Sequence, residues 1–413
     1  MEFKEYRLQE ILFNIYSGGT PSTRINSFWD GDLRWLSSGE TRERFISKTE
    51  KYITKEGVEK SSTKLAHKNS IVIASAGQGY TRGQTSYLLE DMYINQSIIC
   101  LVPDLNIVDS KYLFYNLSTR YKELRHISDS SSSRGSLTTK VLKELKINLP
   151  NITTQKKISK LIYGIDLKIL TNTKIIDNLE QLSQTLFKRW FIDFEFPNEE
   201  GQPYKSSGGK MVESELGEIP EGWEIKKLGT IVSNKREKYK KEEKLPYVPI
   251  NELPMKKMLF YNFLPAEQAK SSLIKFNKND ILIGNMRVYF HRVCLAPFEG
   301  VTRTTTFVLK PLTSLFRNYI LLNLFTEKFV DFANQTSKGT TIPYAVWENG
   351  CENFKVIFPN DESILKKFND VVDETILKSL LILEEIDKLE QLRDTLLPKL
   401  LSGEIEIPDD LEV

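Results

Sequence analysis

Apolar positions along the chain follow two alternating regimes. From Ile158, apolar residues recur at Ile162, Ile165, Ile169, Ile176, Leu179, Leu182 and Leu186 in steps of three and four, interrupted at Asn172. Near the other end Ile382, Ile386, Leu389, Leu392, Leu396 and Leu400 do the same. Such spacing lines one face of a helix, and Pro150 and Pro359 stand where helix starts belong. No proline enters either stretch before Pro398. Residues 1–150 and about 222–358 carry instead short apolar runs, such as Ile71-Val72-Ile73, Ile98-Ile99-Cys100-Leu101-Val102 and Thr306-Phe307-Val308-Leu309, punctuated by Gly, Pro, Asn and Ser. These predict β-rich globules with a few helices, around Tyr112–Leu124 and Tyr319–Asn334. Pro197 to Gly222 has no apolar period and reads as a linker.

The two regimes are one unit written twice. Leu179-Glu180-Gln181-Leu182 recurs as Leu389-Glu390-Gln391-Leu392, and Thr185-Leu186 as Thr395-Leu396, all at an offset of 210. Leu149-Pro150-Asn151 pairs with Phe358-Pro359-Asn360, and Lys68-Asn69-Ser70-Ile71-Val72-Ile73 with Lys278-Asn279-Asp280-Ile281-Leu282-Ile283. The order is kept over the whole length, which isolated coincidences would not produce. Two helices with apolar seams in one chain bury them most simply against each other as a coiled coil. Each globule precedes its own helix, so antiparallel packing would hold the two globules at opposite ends of a rod. About 36 helical residues are roughly 54 Å long, the length of about 16 base pairs of B-DNA.

Charge sharpens this organisation. The 413-residue chain has a formal net charge of only +2. By segment, residues 1–150 carry 21 basic and 17 acidic side chains and residues 222–358 carry 21 and 12, whereas residues 151–221 carry 9 and 11 and residues 359–413 carry 6 and 15. The globules are therefore basic and the helices with the linker acidic, as separate surfaces for a polyanion and for protein partners require.

Catalytic signatures are missing. The sequence has no GxxxxGK[ST] loop, no GxSxG, no HExxH and no [ND]PP[YF]. Cys100, Cys294 and Cys351, like His67, His126 and His291, are isolated in sequence and suggest no metal site. The opening MEFKEYRLQEIL lacks the apolar core of a signal peptide, so a cytoplasmic protein is expected. Polar loops carry the remaining chemistry. Gln78, Thr81, Arg82 and Gln84 form a Gly-rich loop after an apolar strand, with side chains suited to base edges and phosphates. The loop bearing Ser133, Arg134 and Gly135 and the loop bearing Lys338, Gly339 and Thr340 occupy equivalent places in the repeat, each with hydroxyls, one cation and a glycine. In the second globule Lys235, Arg236 and Lys238 form a basic run, and Arg287, Tyr289 and Arg292 align with the Gln78–Arg82 loop.

These features together resemble the specificity subunits of type I restriction-modification systems, over essentially the whole chain. Gly18-Gly19-Thr20-Pro21-Ser22, followed by Phe28-Trp29, Gly31-Asp32 and Trp35, is similar to the opening of one subtype of their target recognition domain. Leu216-Gly217-Glu218-Ile219-Pro220-Glu221-Gly222-Trp223 is similar to the entry of the second domain. The segments Leu186–Phe194 and Leu392–Glu404 resemble the ends of the two conserved helices. The second globule has Ser233-Asn234-Lys235-Arg236 in place of the Gly-Gly-Thr-Pro-Ser opening, so the domains belong to different subtypes.

The resemblance implies an α+β fold with target recognition domains at 1–150 and 222–358, spacer helices at 151–196 and 359–413, and a linker at 197–221. Each domain would read one half of an asymmetric bipartite site in double-stranded DNA. The antiparallel helices would set the spacing and dock two methyltransferase subunits through Leu179, Leu182, Leu186, Leu389, Leu392 and Leu396. Thr20 joins the loop residues above as an expected DNA contact. The chain would be non-catalytic, with S-adenosylmethionine, ATP and Mg held by methyltransferase and restriction/translocase partners and no membrane association. A self-contained nuclease or methyltransferase, and a coiled-coil scaffold, are the alternatives.

Overall fold

The short apolar runs fold as strands whose central members are buried on both faces. A computed structural model describes residues 2–77, 79–131, 135–239, 244–269 and 272–408. They divide into two compact units, residues 1–168 with 389–413 and residues 169–388. In the first, a five-stranded sheet runs in the order Leu12–Ser17, Ile98–Pro103, Ile71–Ala74, Thr85–Leu88, Phe45–Ile46. A four-stranded sheet, Lys51–Ile53, Trp29–Leu36, Met92–Ile94, Lys64–Ala66, accompanies it. The second unit has a four-stranded sheet in the order Val232–Lys235, Thr306–Pro311, Ile281–Gly284, Val293–Leu295. These four strands repeat the order of the first four in the larger sheet of the first unit, so the sequence repeat is also a repeat of topology. Both Ile71–Ala74 and Ile281–Gly284 are wholly buried, as central strands with Val/Ile/Leu composition should be.

Each expected domain helix is a pair. Ser110–Thr119 ends at Arg120 before Tyr121–Ser131, and Arg317–Leu324 ends before Glu327–Gln335. The second break has a clear local cause: the Thr326 hydroxyl accepts from the Phe329 N–H and caps a new helix.

The long helices are α1, Ile152–Phe187, and α2, Glu362–Ser402. Asn151 Oδ1 caps α1 by accepting from Thr154 N at 2.9 Å. Their pairing is antiparallel. Within the second unit Asn172 Nδ2 donates to Glu385 Oε2 at 2.8 Å, and about three turns further along α1 Ser183 Oγ lies 2.8 Å from Thr375 Oγ1. Within the first unit Arg393 Nη1 donates to Asp166 Oδ1 at 2.9 Å, with both side chains buried. Asp166 Oδ2 also accepts from Tyr115 Oη at 2.7 Å, so the ion pair ties both helices to the first domain. The inward faces therefore differ from the apolar stripe expected from the sequence. They place polar residues at Asp166, Asn172, Ser183 and Thr375 and satisfy them across the interface, while Glu180 is buried against Met258 and Leu182 and Leu392 are 50% and 47% exposed.

Past Phe187 the chain enters a wide helical turn, Lys188–Ile192, that drives Phe191 into the second unit's core. Phe191 meets Phe368 of α2 edge-on at 4.9 Å and Tyr319 of the domain helix at 5.0 Å. The segment read as a linker then folds back: Phe196 stacks on Tyr204 at 4.6 Å and on Trp223 at 5.0 Å, and Tyr204 N donates to Phe196 O at 2.9 Å. It connects the copies while packed, not slack, because its one aromatic residue, Tyr204, and the flanking Phe196 and Trp223 turn onto one cluster. Replacing Phe191 with alanine removes the centre of that cluster and should cost about 3–5 kcal/mol in denaturant-induced unfolding of the second unit. Leu182→Ala, at an exposed position of α1, should change it by less than about 0.5 kcal/mol.

Candidate nucleic-acid interface

Strand register decides which loops share an edge. In the first unit Ser17 pairs with Ile99 and Ala74 with Ile98, so the chain after Ser17 and the chain after Ala74 leave the sheet at the same end. The first of these carries Gly18-Gly19-Thr20. A Cβ on Gly18 would lie 1.9 Å from Ile94 O and one on Gly19 2.1 Å from Ser62 Oγ, so the glycines let this backbone lie against its neighbours. Thr20 then hydrogen-bonds through its hydroxyl to Gln96. A third loop joins them, since Leu137 N donates to Ser75 O at 2.8 Å.

The second unit builds the same arrangement from other residues. Lys235 pairs with Val308 and Gly284 with Thr306, bringing Lys235-Arg236 and Asn285–Arg292 out at one sheet end. Ala345 N donates to Asn285 O at 2.8 Å, matching the Leu137–Ser75 bond, and Arg287 N donates to Pro343 O at 2.8 Å. Gly135 and Gly339, the glycines of the two equivalent loops, both have positive φ, at 59° and 88°.

The expected contact residues separate into two groups. Arg236, Lys238, Arg287, Lys338 and Thr340 are exposed, Tyr289 is 49% exposed, and Thr20, Gln84 and Lys235 are half-buried. Arg236 pairs with Glu348 at 3.2 Å. Arg82, Arg292 and Thr81 face inward. Arg82 is held by Asp129 and the Gly135 carbonyl, and Arg292 Nη1 donates to the carbonyls of Ile250 at 2.9 Å, Asn251 at 3.1 Å and Leu253. These two arginines, 210 residues apart, are loop anchors. Thr81 is buried and its O accepts from Gln84 N, closing the turn. Gln78, Ser133 and Arg134 lie outside the described residues.

Sequence reasoning missed several residues on the same loops. Tyr80 is 81% exposed, beside a shallow cavity of about 590 Å³ lined also by Lys122, Arg125 and His126. Arg125 Nη1 donates to Gly79 O at 2.7 Å and Tyr121 Oη to Tyr80 O at 3.2 Å. In the second unit Ile342 and Tyr344 are 43% and 45% exposed beside Arg287. No spacing rule marks them; a lone aromatic between glycines, as at Tyr80, was the available signal.

On the helices Leu179, Leu186, Leu389 and Leu396 are half-buried, while Leu182 and Leu392 reach solvent. Leu377 and Leu381 of α2, each 59% exposed, extend the apolar surface beyond the leucines expected from the repeat. Glu180 is buried on α1 and accepts from Met258 N at 2.9 Å.

Basic, hydroxyl-bearing and aromatic loops presented twice from equivalent sheet ends, with paired acidic helices, define a duplicated DNA-recognition subunit. The family described as the type I restriction modification DNA specificity domain matches residues 1–181. The type I restriction enzyme MjaIX specificity subunit of Methanocaldococcus jannaschii is 30% identical over 98% of this chain and 95% of its own length. The EcoR124I/EcoR124II specificity subunit of Escherichia coli is 33% identical over 38% of this chain and 39% of its own. The type I restriction-modification S subunit of M. genitalium shares the fold, with a TM-score of 0.59, 16% identity and coverage of 97% and 96% of the two chains. The chain belongs to the type I restriction enzyme specificity subunits.

Burial pushes the Glu180 carboxyl up to about 7 from a usual 4.5, against the opposing pull of the Met258 N–H and Lys257. A carboxyl whose folded value is raised stabilises the fold fully below its unfolded value and loses that contribution as pH rises through the folded one. Denaturant unfolding of the native chain relative to Glu180→Gln should therefore show a stability difference that falls between about pH 5 and pH 8. A difference independent of pH would place the ionisation outside the folded core.

Proposed function

We propose that each unit's three-loop cluster reads one half of an asymmetric bipartite site in double-stranded DNA. The observation that carries this is the identical placement of the loops, at the same end of sheets with the same strand order, with different side chains in each copy. Domain 1, residues 1–150, uses the Thr20 loop, the Gln78–Gln84 loop with Tyr80, and the Ser133–Arg134 loop. Domain 2, residues 222–358, uses Lys235, Arg236, Lys238, Arg287, Tyr289, Lys338 and Thr340. Lysine and arginine supply phosphate contacts and bidentate reading of guanine, and the exposed tyrosines offer apolar and stacking contact. Arg82 and Arg292 serve by holding loop carbonyls.

The spacer helices, 151–196 and 359–413, set the separation of the half-sites and dock two methyltransferase subunits over Leu182, Leu392 and the half-buried leucines beside them. The chain itself is non-catalytic. Adenine methylation with S-adenosylmethionine, and ATP- and Mg-dependent translocation and cleavage, belong to methyltransferase and restriction/translocase partners in the cytoplasm. No helix of the described residues is long and apolar enough to cross a membrane.

Mapping methylated adenines in genomic DNA with and without the gene tests the whole reading. A two-part motif should be methylated when the gene is present and lose its modification when the gene is deleted; an unchanged methylome overturns it. At the residue level, Arg287→Ala should cost about 1–3 kcal/mol in binding and relax preference at one half-site if it reads a base. Lys338→Ala should weaken all sequences alike and lower the salt slope by about 1. Both follow from titrating duplexes with the reconstituted assembly at several salt concentrations.

A further inference from the structure

The second domain meets the second half of α1 across a cavity of about 910 Å³ walled by Phe187, Phe191, Tyr319, Phe325 and Phe354. Lys256-Lys257-Met258 bridges the two sides. Lys257 Nζ pairs with Asp177 and Met258 N donates to buried Glu180 Oε1 at 2.9 Å, both one turn apart on α1. The other edge of the same tripeptide belongs to the domain: Lys256 N donates to His291 O at 2.8 Å, Leu295 N donates to Met258 O at 2.8 Å, and Cys294 Sγ approaches Lys257 O at 3.3 Å.

What the bridge holds is the DNA-facing turn. Arg287 and His291 bracket the exposed Tyr289 and Phe290, and both are non-glycine residues in the left-handed region, at φ 49° and 53°. That conformation is costly for branched or long side chains and persists where neighbours impose it. Here Pro343 O accepts from Arg287 N, Lys256 N donates to His291 O, and the His291 ring nitrogen Nε2 lies 3.0 Å from Phe325 O. Arg292, directly after the turn, grips the carbonyls of Ile250, Asn251 and Leu253 at the start of the bridging segment. A continuous line of covalent and hydrogen bonds therefore runs from Glu180 on the helix to Arg287 and Tyr289.

We propose that Glu180, with Asp177 beside it, is a positioning residue for DNA recognition: by anchoring Lys257 and Met258 it fixes the Arg287–His291 turn of domain 2 relative to the spacer helix. The inference rests on the assignment of that turn to half-site reading. Loss of the Glu180 acceptor leaves the Met258 N–H buried without its partner, and the strap that supports His291 O relaxes toward the cavity. Domain 1 has its own tie, Asp166 with Tyr115 and Arg393, so the effect is confined to one half of the site.

The test uses the full chain reconstituted with its methyltransferase subunits and duplexes altered in one half-site at a time. Glu180→Leu should reduce discrimination at the half-site read by domain 2 by about tenfold and leave the other unchanged. Glu180→Gln, which keeps the acceptor oxygen, should restore discrimination to within about threefold of the native chain. Asp177→Asn, at an exposed position, should shift the same half-site in the same direction by about threefold, which keeps the proposal testable if Glu180→Leu does not fold. In the Arg287→Ala background Glu180→Leu should have no further effect. Equal losses at both half-sites, or Gln behaving like Leu, would overturn the positioning role. Arg287→Ala without effect would instead overturn the assignment of the turn, whereas an effect of Arg287→Ala alongside a silent Glu180→Leu and Asp177→Asn would sink the strap alone.

Discussion

Pairing of α1 with α2 is the constraint on which the remainder rests, because each compact unit contains part of both helices. Residues 152–168 of α1 are grouped with 389–402 of α2, and residues 169–187 with 362–388. The first unit is therefore assembled from two separate stretches of chain, while the second, residues 169–388, is continuous. The pairing is specified less by apolar area than by polar partners that fit in one register. Asp166 with Arg393, Asn172 with Glu385 and Ser183 with Thr375 each bury hydrogen-bonding groups that a shift of one turn would strand. A buried ion pair contributes little net stability compared with apolar packing, but removing one partner is severe, so its value lies in selecting an arrangement. In this molecule the arrangement selected decides which half of each helix completes which unit.

The second unit adds an aromatic lock to that register. Phe191 is carried inward by the wide turn at the end of α1 and touches both α2 and the domain helix, while Phe196, Tyr204 and Trp223 fold the connecting segment onto the same cluster. This gives the Leu186–Phe194 and Gly222-Trp223 motifs a physical reason: they join the end of one copy to the beginning of the next through packing. A composition rich in Gly, Ser and Glu conceals this, since two or three rings suffice to order a segment whose other residues stay exposed.

How much was legible in the sequence follows from what each signal encodes. The repeat, the two long helices and the central strands were all readable, because apolar periodicity reports burial directly. The polar helix interface was not, since Asn172 and Asp166 in a helix read as solvated positions until their partners 213 and 227 residues away are known. Charge type is ambiguous in the loops for a related reason. Arg82 and Arg292 share their place in the repeat and their residue type, which suggested reading heads, yet both satisfy backbone carbonyls at the loop base. An arginine has five donors, and a loop whose carbonyls converge is as good a partner as a phosphate. Arg287 and Tyr289 sit only a few residues away but are exposed, which spacing alone does not reveal.

The same division explains how one scaffold carries two specificities. Strand order, the Leu137–Ser75 and Ala345–Asn285 bonds, and the loop glycines Gly135 and Gly339 are common to both copies and fix where loops emerge. Beyond those anchors each copy settles its first loop differently, Gly18-Gly19 by close backbone approach to Ile94 and Ser62 and Arg236 by pairing with Glu348, so different residues occupy equivalent sheet ends. The buried anchors must be kept while the exposed tips are free to change. Divergence of tips on preserved anchors gives a duplicated sequence two different sets of exposed side chains, and positive charge is concentrated in the β-rich segments while the long-helix segments stay acidic. A net charge of +2 on the whole chain is thus the residue of two opposed surfaces, each of which would be weakened if the charges were spread evenly.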